Sequence, residues 1–252
     1  MMKLEVLFTP AEFAALTRRD LSESCCVVFD VLRATSSMIC ALWNDATAIL
    51  PVEEIHEALA SKKEFPEALL AGEREGMRIG PGLTGGISFD LGNSPREFTP
   101  EVVKGKPIVM TTTNGTKALH ACRKAKTTLA ASFLNLDRIS ERILQFEPKE
   151  LLLVCSGTLD QAAYEDALGA GALCDLLWAR YDRGQVADSA LIARELFLQS
   201  SGHLEESLAR SRNARRLLSI PELRQDVGFC LRRDAFPLLA VLDKDGFVRR
   251  QA

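Results

Sequence analysis

CCVVFDVLRATSSMICALWN (residues 25–44) decides the fold class. Its first six residues are a continuous apolar run closed by Asp30. Further on, Met38, Ile39 and Leu42 recur at helical spacing. A strand without polar alternation is covered on both faces, so the helix after it must fold back over the sheet. The same unit repeats outward. TAILPV (47–52) precedes EEIHEALASKKEF (53–65), and ALLAGE (68–73) is a third apolar strand. PIVMTTT (107–113) leads into TKALHACRKA (116–125), and TTLAAS (127–132) into LDRISERILQF (136–146). ELLLVCSG (150–157) leads into the helical pattern QAAYEDALGAGALCDLLWARY (161–181). This alternation predicts an α/β protein with a largely parallel sheet between helix layers.

The remainder reads as mostly helical: DSALIARELFLQ (188–199), HLEESLARSRNARRLL (203–218) and ELRQDVGFCLRRD (222–234). It ends in FPLLAVLDKDGFVRR (236–250), a strand or hairpin with Asp245-Gly246 as its turn signal. No linker or repeat divides the chain. The expectation is one α/β domain over 1–252, with a core about 1–180 and a helical and terminal-strand part about 181–252.

Apolar residues make up 47% and charged residues 26%, which excludes disorder, collagen-like repeats and coiled coil. The formal net charge of −3, from 31 basic and 34 acidic side chains, argues against a general nucleic-acid binder. No apolar run approaches the roughly 20 residues that span a bilayer. Glu5 and Glu12 interrupt the N-terminal stretch too early for a signal peptide. Seven cysteines without a C-x-x-C pair read as reduced, buried thiols in a cytoplasmic protein.

In a parallel α/β sheet, ligands bind beyond the carboxyl ends of the strands. Asp30 stands at one such end, followed by Arg33, Thr35 and Ser36. The carboxylate can bind a divalent cation or attack a substrate. The hydroxyls can cap the next helix or, with its free N–H groups, hold an anion, and Arg33 adds a bidentate donor. Thr111-Thr112-Thr113-Asn114-Gly115-Thr116 is a polar tip that either caps a helix or wraps a phosphate. Glu73 closes another strand. Asp90, between two apolar neighbours in a glycine-rich stretch over 74–95, is either aimed inward or part of turn chemistry with Asn93. Glu165 and Asp166 open a helix, where acids also answer the helix dipole.

His56, His120 and His203 have no partner at metal-ligand spacing. There is no Walker loop, G-x-G-x-x-G fingerprint or G-x-S-x-G elbow. RSRNARRLL (210–218) has four arginines without interleaved aromatics, a solvated helix face that can reach toward a ligand. Acids and anion-binding turns thus gather at strand ends, a pattern that suits metal-assisted phosphoryl chemistry.

FDVLRATSSMICAL (29–42), LLAGEREG (69–76), FDLGNSP (89–95), TTTNGTKAL (111–119) and CSGT…YEDALGAG (155–171) resemble the 2-phosphosulfolactate phosphatase family, in the family's order. The resemblance implies a three-layer α/β/α fold and Mg²⁺-dependent hydrolysis of 2-phospho-3-sulfolactate to sulfolactate and phosphate. That step is linked to coenzyme M or sulfolactate formation. On this reading Asp30, Glu73, Asp90, Glu165 and Asp166 are candidate metal ligands. Thr35, Ser36, Arg74, Asn93, Thr112, Thr113, Asn114, Gly115, Thr116 and Lys117 are candidates for holding the phosphorylated sulfonate, and Arg33 counters transition-state charge. Asp30 would ligate the ion beside an activated water; as a covalent nucleophile it would lack the usual D-x-D partner, since position 32 is Leu32. The alternative is a non-catalytic module that binds a small phosphorylated or sulfonated acid. A homodimer is the expected assembly, with neither nucleic acid nor membrane as partner.

Overall fold

The computed structural model describes residues 3–180 and 185–251. Its strands are β1 (Lys3–Leu7), β2 (Ser24–Phe29), β3 (Ala48–Val52), β4 (Leu69–Arg74), β5 (Met77–Arg78), β6 (Pro107–Thr111), β7 (Thr127–Ala131), β8 (Glu150–Cys155), β9 (Leu239–Leu242) and β10 (Val248–Gln251). The first helices are α1 (Pro10–Ala14), α2 (Ala34–Trp43), α3 (Ile55–Glu64), α4 (Pro81–Thr84), α5 (Pro100–Val103) and α6 (Gly115–Cys122). They are followed by α7 (Leu136–Phe146), α8 (Tyr164–Leu177), α9 (Asp188–Ser200), α10 (Leu204–Leu208), α11 (Arg212–Ser219) and α12 (Arg224–Cys230).

The architecture is α/β/α around one mixed sheet of order β1-β8-β2-β7-β9-β10-β3-β6-β4-β5. β1, β8, β2 and β7 are mutually parallel, as are β3, β6 and β4. The hairpin β9–β10 lies between the two blocks, antiparallel to β7 on one side and to β3 on the other. The hairpin read from FPLLAVLDKDGFVRR therefore lies in the middle of the sheet. Three successive antiparallel pairings make the blocks run in opposite directions.

Burial follows from the sequence pattern. Every residue of β2 is buried: Cys25, Val27 and Phe29 pack with α7 and α8, while Cys26 and Val28 face α2 and α6. Ile49 of β3 and Ile108 and Met110 of β6 close on the same inner helices, and Val109 packs toward α3. Helices α2 and α6 are thus held between the blocks, which brings their N-termini together. On the outer face, α8 and α9 approach so closely that a Cβ on Gly171 would strike the Ala193 carbonyl.

The N-terminal stretch forms β1 in parallel register with β8. The segment HLEESLARSRNARRLL is two helices, because the Ser211 hydroxyl accepts the Ala214 N–H (3.2 Å) and restarts the helix as α11. Tyr181, the last residue of the helix predicted over 161–181, lies outside the described residues, as does the start of the C-terminal part at 181.

Candidate active site

The turn from β2 to α2 is built by its own side chains. Thr35 Oγ accepts the Asp30 N–H (3.0 Å) and donates to the Asp30 carbonyl (2.9 Å), and Ser36 Oγ donates to the Val31 carbonyl (2.8 Å). Both hydroxyls are fully buried in closing the turn, so neither reaches an anion: local backbone bonding takes them. Asp30 Oδ1 accepts the Ala34 N–H (3.1 Å), which caps α2. Its Oδ2 faces α6. A Cβ on Gly115 would stand 2.5 Å from that oxygen, so only glycine lets the 111–116 turn close against Asp30.

Thr112, Thr113 and Asn114 line a cavity of about 380 Å³ together with Asp30. Glu73, at the end of β4, reaches into it. Glu73 Oε1 accepts from the Thr113 N–H (3.0 Å) and hydroxyl (2.9 Å), and its Oε2 accepts from the Gly76 N–H (2.7 Å). Thr116 instead donates to the Thr112 carbonyl (3.2 Å) and is fully buried. Lys117 is exposed and lines a neighbouring depression with His120, Arg123 and Lys124.

Glu165 and Asp166 begin α8 on the opposite wall, both buried. Asp166 accepts from the Val31 N–H (2.8 Å), the Ser156 hydroxyl (3.0 Å) and the Gly157 N–H (3.2 Å). Glu165 accepts from Asn213 of α11. Arg212, Asn213 and Arg216 bring the arginine-rich stretch to the rim, where Arg212 is anchored on the Thr158 carbonyl (2.8 Å). The arginine run signalled this contact; Ser156 and Asn213 carried no signal of their own.

Asp90 does not belong to the site. It is exposed, and its Oδ2 accepts the Leu70 N–H (2.8 Å). FDLGNSP runs beside β4, where Leu91 bridges to Ala71, so Asp90 ties the segment to a strand edge whose N–H needs a partner. The segment still delivers Asn93 to the cavity.

Burial pushes the Asp30 carboxyl up to about 6; the Ala34 N–H opposes this, and the Glu73 charge adds to it. Burial likewise raises Glu165. It raises Asp166 strongly, with the charges of Asp30 and Glu165 contributing. Arg33, Arg74, Arg212 and Arg216 share the cavity walls, yet none pairs within 4.0 Å with these acids among the described residues. Arg33 pairs with Asp226 (2.7 Å), and Arg74 donates to the Glu73 and Glu53 carbonyls and to Thr111.

Among the described residues, no three acid, histidine or cysteine side chains enclose an ion by themselves. Mg²⁺ usually takes one or two carboxylates and completes its shell with water and substrate phosphate oxygens. The cavity fits that mode. Its acids offer only oxygen donors, and two more buried oxygens on its wall, Asn93 Oδ1 and Thr112 Oγ, have no hydrogen-bond partner among the described residues.

Residues 12–245 match the family described as 2-phosphosulpholactate phosphatase. The chain belongs to the 2-phosphosulfolactate phosphatase family. Relatives named "Probable 2-phosphosulfolactate phosphatase" span nearly its whole length. That of Thermotoga petrophila is 39% identical over 225 residues, 89% of this chain and 92% of the relative. That of Caldanaerobacter subterraneus is 36% identical over 245 residues, 96% and 97% of the two chains. That of Pseudothermotoga lettingae is 36% identical over 248 residues, 98% and 99%. For a 2-phosphosulfolactate phosphatase family member, the oxygen-rich cavity between α2, α6 and α8 is the candidate active site.

Proposed function

We propose that the protein is a Mg²⁺-dependent phosphoric monoester hydrolase that converts 2-phospho-3-sulfolactate to sulfolactate and phosphate. The observation that carries this is the cavity's charge layout: five acids and four arginines on the same walls, with no ion pair between them among the described residues. Such a layout suits a cation and a multiply charged anion bound side by side.

Asp30 would hold the ion, with Asp166, Glu73 and Glu165 ordering its waters. When bound, Mg²⁺ neutralises phosphate oxygens and lowers the pKa of an attacking water. The chain's own groups do the rest. Thr113 and Asn114 present the N-terminal end of α6 to the phosphate. Arg33 is buried and fixed in orientation, so donors not engaged by Asp226 and Gly76 can face the charge that develops on the phosphoryl oxygens. Arg74, Arg212 and Arg216 supply further positive charge for the sulfonate and carboxylate.

The same reading takes the protein to act as a cytoplasmic homodimer on a small molecule, not on nucleic acid. Seven free, buried cysteines suit a reducing compartment, and Leu191, Ile192 and Leu198 leave apolar surface on α9. Among the described residues, no helix is long and apolar enough to cross a membrane.

The test is phosphate release from 2-phosphosulfolactate with Mg²⁺ and with chelator. Release is expected only with the metal. Tight binding of the substrate without release would instead establish the binding-module reading.

A further inference from the structure

Asp226 lies on α12, far along the chain from the motifs at the cavity, and is fully buried. Its Oδ2 accepts from Arg33 Nη1 (2.7 Å); its Oδ1 accepts from Ser94 Oγ (2.7 Å) and Arg96 Nε (2.8 Å). Arg33 is itself only 3% exposed. Its Nη2 donates to the Gly76 carbonyl (2.8 Å), and the Gly76 N–H donates to Glu73 Oε2 (2.7 Å). The guanidinium therefore sits one residue away from a cavity carboxylate and pairs with Asp226 instead.

Ser94 extends the same arrangement to Asn93. Its hydroxyl is tied to Asp226 on one side of Asn93, and the Asn93 carbonyl accepts Ser37 Oγ (2.8 Å) on the other. The Asn93 backbone is pinned while its Oδ1, on the cavity wall, has no partner among the described residues.

A buried cation that loses its counter-ion is strongly unfavourable and turns to whatever carboxylate it can reach. The nearest candidates for Arg33 are Glu73, joined to it through Gly76, and Asp30 on the wall of the same cavity. A guanidinium placed on them would neutralise Asp30 at the ion or Glu73 at its waters, and leave the phosphate without its donor.

We propose that Asp226 is a positioning residue. It keeps Arg33 on the anion-binding wall and off Glu73 and Asp30, and through Ser94 it sets Asn93. This rests on the metal-dependent reading above.

The experiment is calorimetric titration of Mg²⁺ into the full chain, and of inorganic phosphate into the Mg²⁺-loaded protein. For Asp226→Asn, both affinities are expected to fall by about 10-fold, since an unpaired Arg33 competes with the ion and leaves the phosphate site. In the double variant Asp226→Asn/Arg33→Ala, Mg²⁺ affinity should return to within about twofold of the parent while phosphate binding stays weak. A merely structural role for Asp226 would not be rescued by a second truncation. Parent-like affinities in Asp226→Asn, or no recovery of Mg²⁺ binding in the double variant, would overturn the proposal. Should Asp226→Asn fail to fold, Ser94→Ala decides: phosphate affinity lowered about threefold at unchanged Mg²⁺ affinity supports it, and no change in either overturns it. A parent protein that binds Mg²⁺ but releases no phosphate from phosphosulfolactate overturns the hydrolase reading and leaves this result standing.

Discussion

Asp30→Asn is expected to lower Mg²⁺-dependent phosphate release by about 10³-fold or more, the scale set by losing a charge that acts directly on the transition state. The substitution is nearly isosteric. Asn can keep an oxygen at the Oδ1 position for the Ala34 N–H, so the cap of α2 survives. What disappears is the negative charge at Oδ2, which faces Gly115 and the phosphate turn. Initial rates at saturating Mg²⁺, with circular dichroism to confirm the fold, measure the effect. Turnover within a fewfold of the parent would remove Asp30 from the chemistry.

The same variant should be more stable than the parent once the metal is removed. Asp30 has a folded-state pKa of about 6, above the roughly 3.9 of an unfolded aspartate. A raised folded pKa contributes stability that is fully present below the unfolded value. It is lost as pH rises through the folded value. Relative to a neutral Asn, the ionised Asp30 therefore costs the metal-free protein about 3 kcal/mol at pH 7.5. For a chain of this size that is about 6–12 °C in Tm. In chelator at pH 7.5, Asp30→Asn is expected to melt higher than the parent by that order, and the gap should close as pH falls toward 4. Added Mg²⁺ should raise the parent's Tm more at pH 7.5 than at pH 5, and the variant's much less. An Asp30→Asn protein that melts at or below the parent in chelator at pH 7.5 would show that Asp30 carries no burial penalty for metal to relieve.

Much of this site was legible in the chain because the signals were local. The apolar run 25–29 reads as a doubly covered strand, which puts Asp30 at the sheet's carboxyl edge. The 111–116 turn and the acids 165 and 166 were found by the same logic. Roles within those segments were less legible. Thr35, Ser36 and Thr116 look like phosphate donors in sequence, yet each bonds to backbone within five residues, a competition sequence cannot weigh. Asp90 has the apolar neighbours of an inward-facing acid, but the N–H it satisfies belongs to Leu70, twenty residues away.

Long-range pairing was the least legible. Nothing in FPLLAVLDKDGFVRR says that its hairpin enters the middle of the sheet, because strand neighbours are chosen by the whole fold. The hairpin joins the block that carries Asp30 to the block that carries the 111–116 turn, and Asp30 meets Gly115 where α2 and α6 begin. Asp226 is a single acid in an ordinary amphipathic stretch, and only the folded chain pairs it with Arg33, 193 residues earlier.

An ion held by Asp30 beside phosphate on the 111–116 turn is best tested by a crystal structure of the protein grown with Mn²⁺ and inorganic phosphate, read by anomalous scattering. One ion is expected about 2.0–2.3 Å from an Asp30 carboxylate oxygen and from a phosphate oxygen, with the phosphate seated against Thr112, Thr113 and Asn114. Phosphate bound away from that turn, or an ion that does not contact Asp30, would contradict it.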